Sequence, residues 1–309
     1  MKIVSAAVKA SVVKKTKNLA SNIVIYGLLI LLTYIILFPF IIKIFGSFMS
    51  WNDHLDRTVI LIPRYPTLYN YIAIIEESGY LKSLGGSFLL SGISAVAQTF
   101  VCAMVGYAMA KLRGKLIGIV MFLVVLTIVV PPQVVLVPLF LKFRFFDIFG
   151  LFQLITGRPI NLLDSLAPMT ILSLTGFGLK NGLFIFVMRQ FFKGVPEELE
   201  EAALIDGYGI FRSYLRIILP ISIPILITVF ILAFSWQWTD TFYSNIFFSN
   251  FPVLARTTFI MPPSTGAQMF QMNTILHTGV LMAVLPLVII FIILQKWVVT
   301  GIERSGIVG

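Results

Sequence analysis

The sequence predicts an all-α membrane protein of six transmembrane helices, with both termini cytoplasmic and a short cytoplasmic helical segment between spans 4 and 5. Three observations carry this. Of the 309 residues, 58% are hydrophobic and only 12% charged, whereas a soluble domain carries about 25% charged residues. Six stretches approach or exceed the ~20 mostly apolar residues that a helix needs to cross a bilayer. The basic residues cluster in alternate connections, the pattern that sets membrane topology.

The spans run Asn22–Ile42, Leu84–Ala110, Leu116–Leu141, Leu166–Gln190, Ile217–Ser244 and Ile275–Val299. They divide the chain into a basic N-terminal segment (1–21), a six-helix membrane domain (22–299) and a cytoplasmic tail (300–309). The first span is not read as a cleavable signal peptide, because its apolar core, Ile23 to Phe38, is long and no small-residue cleavage site follows. The head carries Lys2, Lys9, Lys14, Lys15 and Lys17 without an acid, and the second connection carries Lys111, Arg113 and Lys115 without one. The fourth connection carries Lys193, Arg212 and Arg216. These three segments are assigned to the cytoplasm. Lys180 falls inside the fourth span, where it either faces the protein interior or marks a span that begins later. No span is interrupted midway by a Gly/Pro cluster with charges around it, and no internal repeat of the kind common in secondary carriers is visible.

The net charge of +10 does not indicate a nucleic-acid partner, because the cations sit between long apolar runs. Cys102 is the only cysteine, which excludes an internal disulfide and a cysteine metal cluster. His54 and His277 stand in no ligand or carboxylate pattern. The chain has no phosphate-binding G-x-x-x-x-G-K-[ST] loop, so ATP hydrolysis is not expected of it.

The connection 191–220 is the most informative segment. Its Glu197, Glu198, Glu200, Glu201 and Asp206 make it the most acidic part of the chain. It reads as two short helices. The first begins with Pro196 at its first position, where a missing N–H costs nothing. Glutamates follow where the helix dipole favours them, and Gly207 ends it. Leu199, Ala202, Ala203 and Asp206 share a face. The second runs from about Ile210 to Leu219, with Ile210, Phe211, Tyr214, Leu215 and Ile218 placed to fix it against the bundle. Small alanines on an exposed helix let another surface approach closely, a common recognition mode. The alternative is a plain amphipathic connector at the membrane interface, which an acidic face disfavours.

This segment resembles the permease subunits of binding-protein-dependent ABC importers, which carry a cytoplasmic coupling motif of Glu-Ala-Ala, three residues, Gly, nine residues, then Ile-x-Leu-Pro. Here Glu201-Ala202-Ala203 precedes Leu204-Ile205-Asp206 and Gly207. Nine residues, Tyr208 to Arg216, lead to Ile217-Ile218-Leu219-Pro220. The likeness extends over nearly the whole chain and is closest to carbohydrate-uptake permeases of the maltose MalG type. Arg189 to Leu199 looks like that subfamily's lead-in, and Gly106 to Lys111 like its second-span ending. Pro131-Pro132-Gln133 with Pro138 is similar to its third span, and Gln295 to Val299 with Gly301 and Gly306 to Gly309 to its C-terminal signature. Two features depart from it. Trp238-Thr239-Asp240 has no proline nearby, and the connection Lys142–Ser165 is long.

The resemblance implies a cytoplasmic coupling helix within 191–220, with Glu201, Ala202, Ala203, Asp206, Gly207, Leu219 and Pro220 as ATPase-coupling residues. It implies two separate ATPase subunits holding ATP and Mg, no cofactor on this chain, a second homologous permease subunit and an extracellular solute-binding protein. The solute would be a sugar or oligosaccharide, and the location the bacterial plasma (inner) membrane. The outer connection Asn250–Thr274, restricted by Pro252, Pro262 and Pro263, is the candidate contact for the binding protein. Candidates for the substrate path are Gln98, Gln133, Trp236, Gln237, Trp238, Asp240 and Asn245. Each polar one could equally be a helix–helix hydrogen bond, and the tryptophans could belong to an interfacial belt. Two other classes compete. An ion-coupled carrier would need an acid near mid-span, and Asp240 near the outer end of span 5 comes closest. A membrane enzyme or scaffold would need a cluster of reactive or metal-binding groups, and none is seen.

Overall fold

The computed structural model describes residues 2–257 and 269–304, with side chains over 21–256 and 275–298. Pro262, Pro263 and Gly306 to Gly309 lie outside the described residues. Among those described there is no strand; one isolated antiparallel bridge pairs Phe146 with Ile160. The chain divides into two compact units, Met1–Ala73 with Pro263–Leu281, and Ile74–Pro262 with Met282–Gly309.

The first unit is built on α1 (Lys2–Ser47), whose Ser21–Ser47 stretch is long and apolar enough to cross a membrane. α2 (Trp51–Leu55) follows, then the start of α3 (Tyr69–Glu77). Asp53 organises the loop between α2 and α3. Its carboxylate accepts hydrogen bonds from the backbone N–H groups of Ser50 (3.2 Å), Arg64 (3.2 Å) and Tyr65 (3.1 Å). Burial pushes this carboxyl up, but the hydrogen bonds from Tyr65, Ser50 and Arg64 outweigh it, and the net shift is downward. Asn70 holds the other end, donating to the carbonyls of Ser47 and Met49.

The second unit is organised around α4 (Tyr80–Lys111), a spanning helix. Ser83, Ser87, Ser91, Ser94, Gln98, Cys102, Gly106 and Met109 recur every three or four residues and are all buried, so one face of α4 is a stripe of mostly small side chains. Hydrophobicity does not drive helices together in lipid; small residues do so by letting backbones approach. That stripe packs against α8 (Ala167–Leu174), α9 (Asn181–Lys193) and α13 (Ile223–Thr239). A Cβ on Gly106 would lie 2.6 Å from Met188 Cβ and 3.0 Å from Arg189 N. Phe184, Met188, Phe192, Ile218, Ile225 and Val229 fill the core. A second core joins Leu90, Phe143, Met169, Tyr243, Phe247 and Phe248. The last spanning stretch is Ile275–Val298, within α16 (Met269–Arg304).

The third, fourth and fifth expected spans are not straight helices, which corrects the reading that no span is interrupted. The third is α5 (Lys115–Val129) followed by α6 (Pro132–Arg144), bent by 97°. Pro131 and Pro132 have no N–H to give the preceding turn, and Val130 takes the extended backbone expected before proline (φ −67, ψ 119). The fifth bends by 76° between Ile210–Ile221 and α13. The spanning helix therefore starts at Ile223 rather than Ile217, and Ser244 belongs to a separate α14 (Phe242–Phe247). The fourth is in two pieces, α8 and α9, separated by Thr175–Lys180. Phe177 N–H reaches Leu172 O (2.8 Å) and Gly176 N–H reaches Ser173 O (3.4 Å), a Schellman ending that needs the left-handed backbone of Gly176 (φ +82). Lys180 is also left-handed (φ +61) and stands immediately before α9. Among the described residues three helices are long and apolar enough to span a membrane, or five counting each bent pair as one.

The long connection after α6 carries the short α7 (Leu151–Thr156) and closes on the loop after α14. Asp164 makes the closure. Its carboxylate accepts from the backbone N–H groups of Ser249 (3.0 Å), Asn250 (2.8 Å) and Phe251 (2.6 Å), and from the Asn250 side-chain amide (3.0 Å). Burial raises the Asp164 carboxyl, and these four donors more than reverse it, leaving it below the ordinary 3.8.

Candidate functional site

The connection after α9 folds as two short helical pieces, as expected, but with different ends. The first, α10 (Glu198–Ile205), starts two residues after Pro196 instead of at it. Glu200 and Glu201 N–H groups both bond to Glu197 O at 3.0 Å, and three glutamates fill the first turn, where the helix dipole stabilises them. The helix ends at Gly207. Gly207 N–H meets Leu204 O (3.1 Å) and Tyr208 N–H meets Ala203 O (2.9 Å), the two bonds of a Schellman motif. Gly207 has φ +80, a conformation that costs any residue with a Cβ. Nothing lies within 4 Å of a Cβ built there, so backbone conformation, not space, is what requires the glycine.

Only Ala203 of α10 is buried. Leu199, Ala202, Asp206 and the Glu201 carboxylate are exposed. The helix is tied to the end of α4 instead: Lys111 Nζ lies 2.8 Å from Glu200 Oε1, both about one-fifth exposed, and Arg113 Nη2 lies 3.3 Å from Glu197 Oε1, both largely exposed. Beneath this contact the Tyr107 ring of α4 packs 5.4 Å from Phe192 of α9 and 4.7 Å from Tyr214. Arg189 Nε donates to Met109 O at 3.2 Å, capping a terminal carbonyl of α4.

The second piece runs as α11 (Ile210–Ser213), a π turn (Tyr214–Ile218) and α12 (Leu219–Ile221). The π turn, closed by Leu219 N–H to Tyr214 O, precedes Pro220, whose ring would clash with the carbonyl four residues back in a regular helix. No side chain caps α11. Tyr214 and Ile218 are buried, as expected. Ile210, Phe211 and Leu215 are not: they are exposed together with Leu204 and Ile205, and Ile205 is 86% exposed. The expectation that all five would fix this helix to the bundle fails because the π turn rotates only Tyr214 and Ile218 inward. What results is an apolar cluster on a charged connection, the kind of surface that marks an interaction site.

The substrate-path candidates do not form one group. Gln133 and Asn245 are exposed. Trp238 is structural: it is buried, stacks 5.5 Å from Phe234, meets Phe88 edge-on at 4.9 Å and donates Nε1–H to Ala283 O at 2.9 Å. Asp240 accepts from the Tyr243 and Ser244 N–H groups (3.3 and 3.0 Å), so it caps the start of α14. Gln237 is buried, and neither side-chain polar atom has a hydrogen-bond partner. Gln98 is fully buried beside the break in the fourth span. With its amide nitrogen toward Leu179 O and its oxygen toward Leu179 N, both at 3.3 Å, it supplies the partners that the missing helical turn would have given. Asn181 Nδ2 donates to Ser173 O at 3.3 Å on the same break. Trp236 is 45% exposed, and Lys180 Nζ stands 4.9 Å from its ring centre. Lys180, Tyr107 and the pairing role of Lys111 and Arg113 were missed in the sequence. Complementary charge between the end of span 2 and Glu197 and Glu200 was the signal available for the last two.

Comparison with known proteins decides the class. The family model described as "binding-protein-dependent transport system inner membrane component" matches residues 103–304. The chain belongs to this family. Among curated relatives, this permease is 27% identical over 282 residues to the sulfoquinovosyl glycerol transport system permease protein SmoH of Agrobacterium fabrum, covering 88% of this chain and 89% of that one. It is 27% identical over 303 residues to the arabinooligosaccharides transport system permease protein AraQ of Halalkalibacterium halodurans, covering 96% and 99%. It is 26% identical over 309 residues to the polygalacturonan/rhamnogalacturonan transport system permease protein YtcP of Bacillus subtilis, covering 95% and 100%. A crystal structure of a bacterial ABC transporter involved in import of the acidic polysaccharide alginate superposes with a TM-score of 0.71 at 21% identity, covering 89% of this chain and 95% of that one. That likeness shows a shared fold.

Proposed function

We propose that this permease is one of two membrane subunits of an ATP-driven importer that moves a sugar or oligosaccharide, delivered by an extracellular binding protein, into the cytoplasm. The observation that carries the reading is the α10 segment: a rigidly terminated helix with Glu201, Ala202, Asp206 and Gly207 exposed beside an apolar cluster. The surrounding bundle leaves that surface uncovered. The names of the relatives, carbohydrate transport system permeases, support the solute class. On this reading the ends of the chain and α10 lie in the cytoplasm, and the chain crosses six times, the fourth crossing being α8 and α9 together.

Two ATPase subunits, which hold ATP and Mg, would dock on Glu201, Ala202, Asp206 and Gly207, while the buried Ala203 seats α10 on the bundle. Leu219 and Pro220 set the π turn and the bend that aim this segment. Closure of the ATPases moves α10 as a rigid body. The Lys111–Glu200 pair and the Tyr107–Phe192–Tyr214 packing pass that motion to α4, α9 and α13, and bundle rocking of this kind switches access between the two sides. An ion-coupled carrier is the competing class. Asp240, the acid it would have used, is engaged as a helix cap.

The test is co-purification from detergent of this chain with its partner permease and candidate ATPase. Wild type should retain the ATPase, while Glu201→Lys and Ile205→Asp should lose it. If no ATPase associates with wild type and uptake follows a proton or sodium gradient, the importer reading is wrong.

A further inference from the structure

Lys180 is exposed at the break in the fourth span, with a left-handed backbone (φ +61). It opens α9, which is 13 residues long, so it stands about 20 Å along the helix from the end that carries the α10 connection. Trp236 lies 13 residues into α13, at a matching depth of about 20 Å. A lysine within a membrane span is costly, and such residues face a protein interior or a water-filled path rather than lipid. Among the described residues no carboxylate approaches Lys180 within ion-pair distance. Its charge rests on the exposed face of Trp236, a weak partner compared with a carboxylate.

Gly176 and Gly178 shape the break. Gly176 turns the chain, and Gly178 sits against the Gln98 and Asn181 side chains, where a Cβ would come within 2.6 Å of the Gln98 side-chain amide and 3.0 Å of Asn181 Oδ1. Gln98 and Asn181 hold the backbone of the break from behind. The break is therefore a fixed feature that presents Lys180 outward, beside an aromatic face that is itself exposed.

A cation adjacent to a flat aromatic face matches an acidic sugar, which has a carboxylate at one edge and an apolar ring face. We propose that Lys180 and Trp236 form a subsite on the transport path for an acidic saccharide, the ammonium pairing with a carboxylate and the indole stacking on the sugar ring. In the empty state the lysine rests on the tryptophan, which keeps the charge partnered until a carboxylate takes it. A neutral saccharide can use only the stacking half. This assignment rests on the reading of the chain as an importer permease and adds the solute's charge to it.

The experiment uses the assembled complex, with partner permease, ATPase and binding protein, in proteoliposomes. The probes are trigalacturonate and its carboxyl-reduced neutral counterpart. Co-purification of the ATPase checks assembly of every variant. Lys180→Met should reduce trigalacturonate uptake about tenfold or more, the range that one charge-assisted hydrogen bond supplies, while moving the neutral probe less than twofold. Lys180→Arg should retain most of the uptake, and Trp236→Ala should reduce both probes. An unchanged acid-to-neutral ratio in Lys180→Met overturns the subsite. So does a wild-type complex that holds its ATPase yet moves only the neutral probe or neither. If the wild type never binds an ATPase, the importer reading fails separately. The subsite is then judged by tryptophan quenching of the purified chain with trigalacturonate, where absence of quenching in wild type, or equal quenching in Lys180→Met, overturns it.

Discussion

Gly207 offers the sharpest test of how α10 works, because its environment separates two explanations that usually travel together. A glycine can be required for space or for backbone conformation. Here a Cβ would meet nothing within 4 Å, while φ is +80. Replacing it should therefore cost only the left-handed penalty, about 1–2 kcal/mol for an ordinary residue. The chain would relieve that strain by opening the two bonds of the Schellman turn, Tyr208 N–H to Ala203 O and Gly207 N–H to Leu204 O, and α10 would fray at the surface assigned to the ATPase. If docking requires the closed turn, affinity for the ATPase falls roughly 5- to 30-fold, the factor corresponding to 1–2 kcal/mol. The expected order of affinity is Gly, then Asn, then Ala, then Val, because asparagine tolerates this conformation and β-branched residues tolerate it least. Gly209→Ala is the matched control: two residues away, it has an ordinary φ of −74 and equally open space. The assay is titration of purified ATPase against detergent-solubilised permease pairs. If Asn proves worse than Ala, the ATPase surface itself occupies the position and the conformational argument is wrong. If Gly209→Ala matches Gly207→Ala, the turn is irrelevant.

Other expectations follow from the same geometry. Lys111→Glu should weaken coupling of ATP hydrolysis to uptake, and adding Glu200→Lys should restore it; a double variant no better than the single one refutes a direct pair. Arg113→Ala should change little, since the Arg113–Glu197 contact is exposed at 87% and 67% and such pairs contribute about 0–1 kcal/mol. Tyr214→Ala, which removes a ring 4.7 Å from Tyr107 and 6.4 Å from Phe192, should cost about 3–5 kcal/mol of stability and lower the thermal midpoint sharply, whereas Tyr214→Phe should be near wild type. Gly106→Leu should prevent α4 from packing on α9, seen as loss of monodisperse protein in detergent. Asp164 should impose a pH signature. Its carboxyl is held below 3.8 in the fold, so its stabilisation is complete above the unfolded value and is lost as pH falls through the lower folded one. Asp164→Asn should lower the thermal midpoint at pH 7, and the wild-type advantage should begin to shrink below about pH 4 and vanish only below the lower folded value.

The parts of this fold that were legible in the sequence are those where a local rule acts alone. Apolar length located the first, second and last spans nearly to their ends, since a hydrophobic run reports directly on its solvent. The sequence also announced the Gly207 turn, because glycine after a short amphipathic run has few other uses. The bends were less legible. Pro131 and Pro132 sit in a run hydrophobic enough to read as one span, and hydropathy does not sense a missing N–H. The fourth span was misread for the opposite reason: Gly176, Gly178 and Lys180 are individually tolerable in a helix, and only the buried amides of Gln98 and Asn181, contributed by α4 and α9, make the interrupted form affordable. Ile210 and Phe211 were assigned to the core by a 3.6-residue period that a π turn does not keep.

The breaks bear on function through a constraint that soluble proteins escape. In lipid every backbone N–H and C=O needs an internal partner, so interrupted helices persist only where protein buries them or where they border water. The break at Thr175–Lys180 meets the first condition on its bundle side. Toward the bundle, Gln98 serves both backbone groups of Leu179 and Asn181 serves Ser173 O, which explains why a fully buried glutamine stands in a stripe of serines and alanines. On the other side stand Lys180, exposed Phe177 and Trp236. A helix sealed by amides behind and carrying a cation in front is poorly explained as a packing accident, because an unbroken helix with leucine at position 180 would satisfy the same neighbours without burying Gln98. On the proposed importer reading, the interruption lies on the face that solute meets, and the uncovered residues of α10 on the face that meets the ATPase.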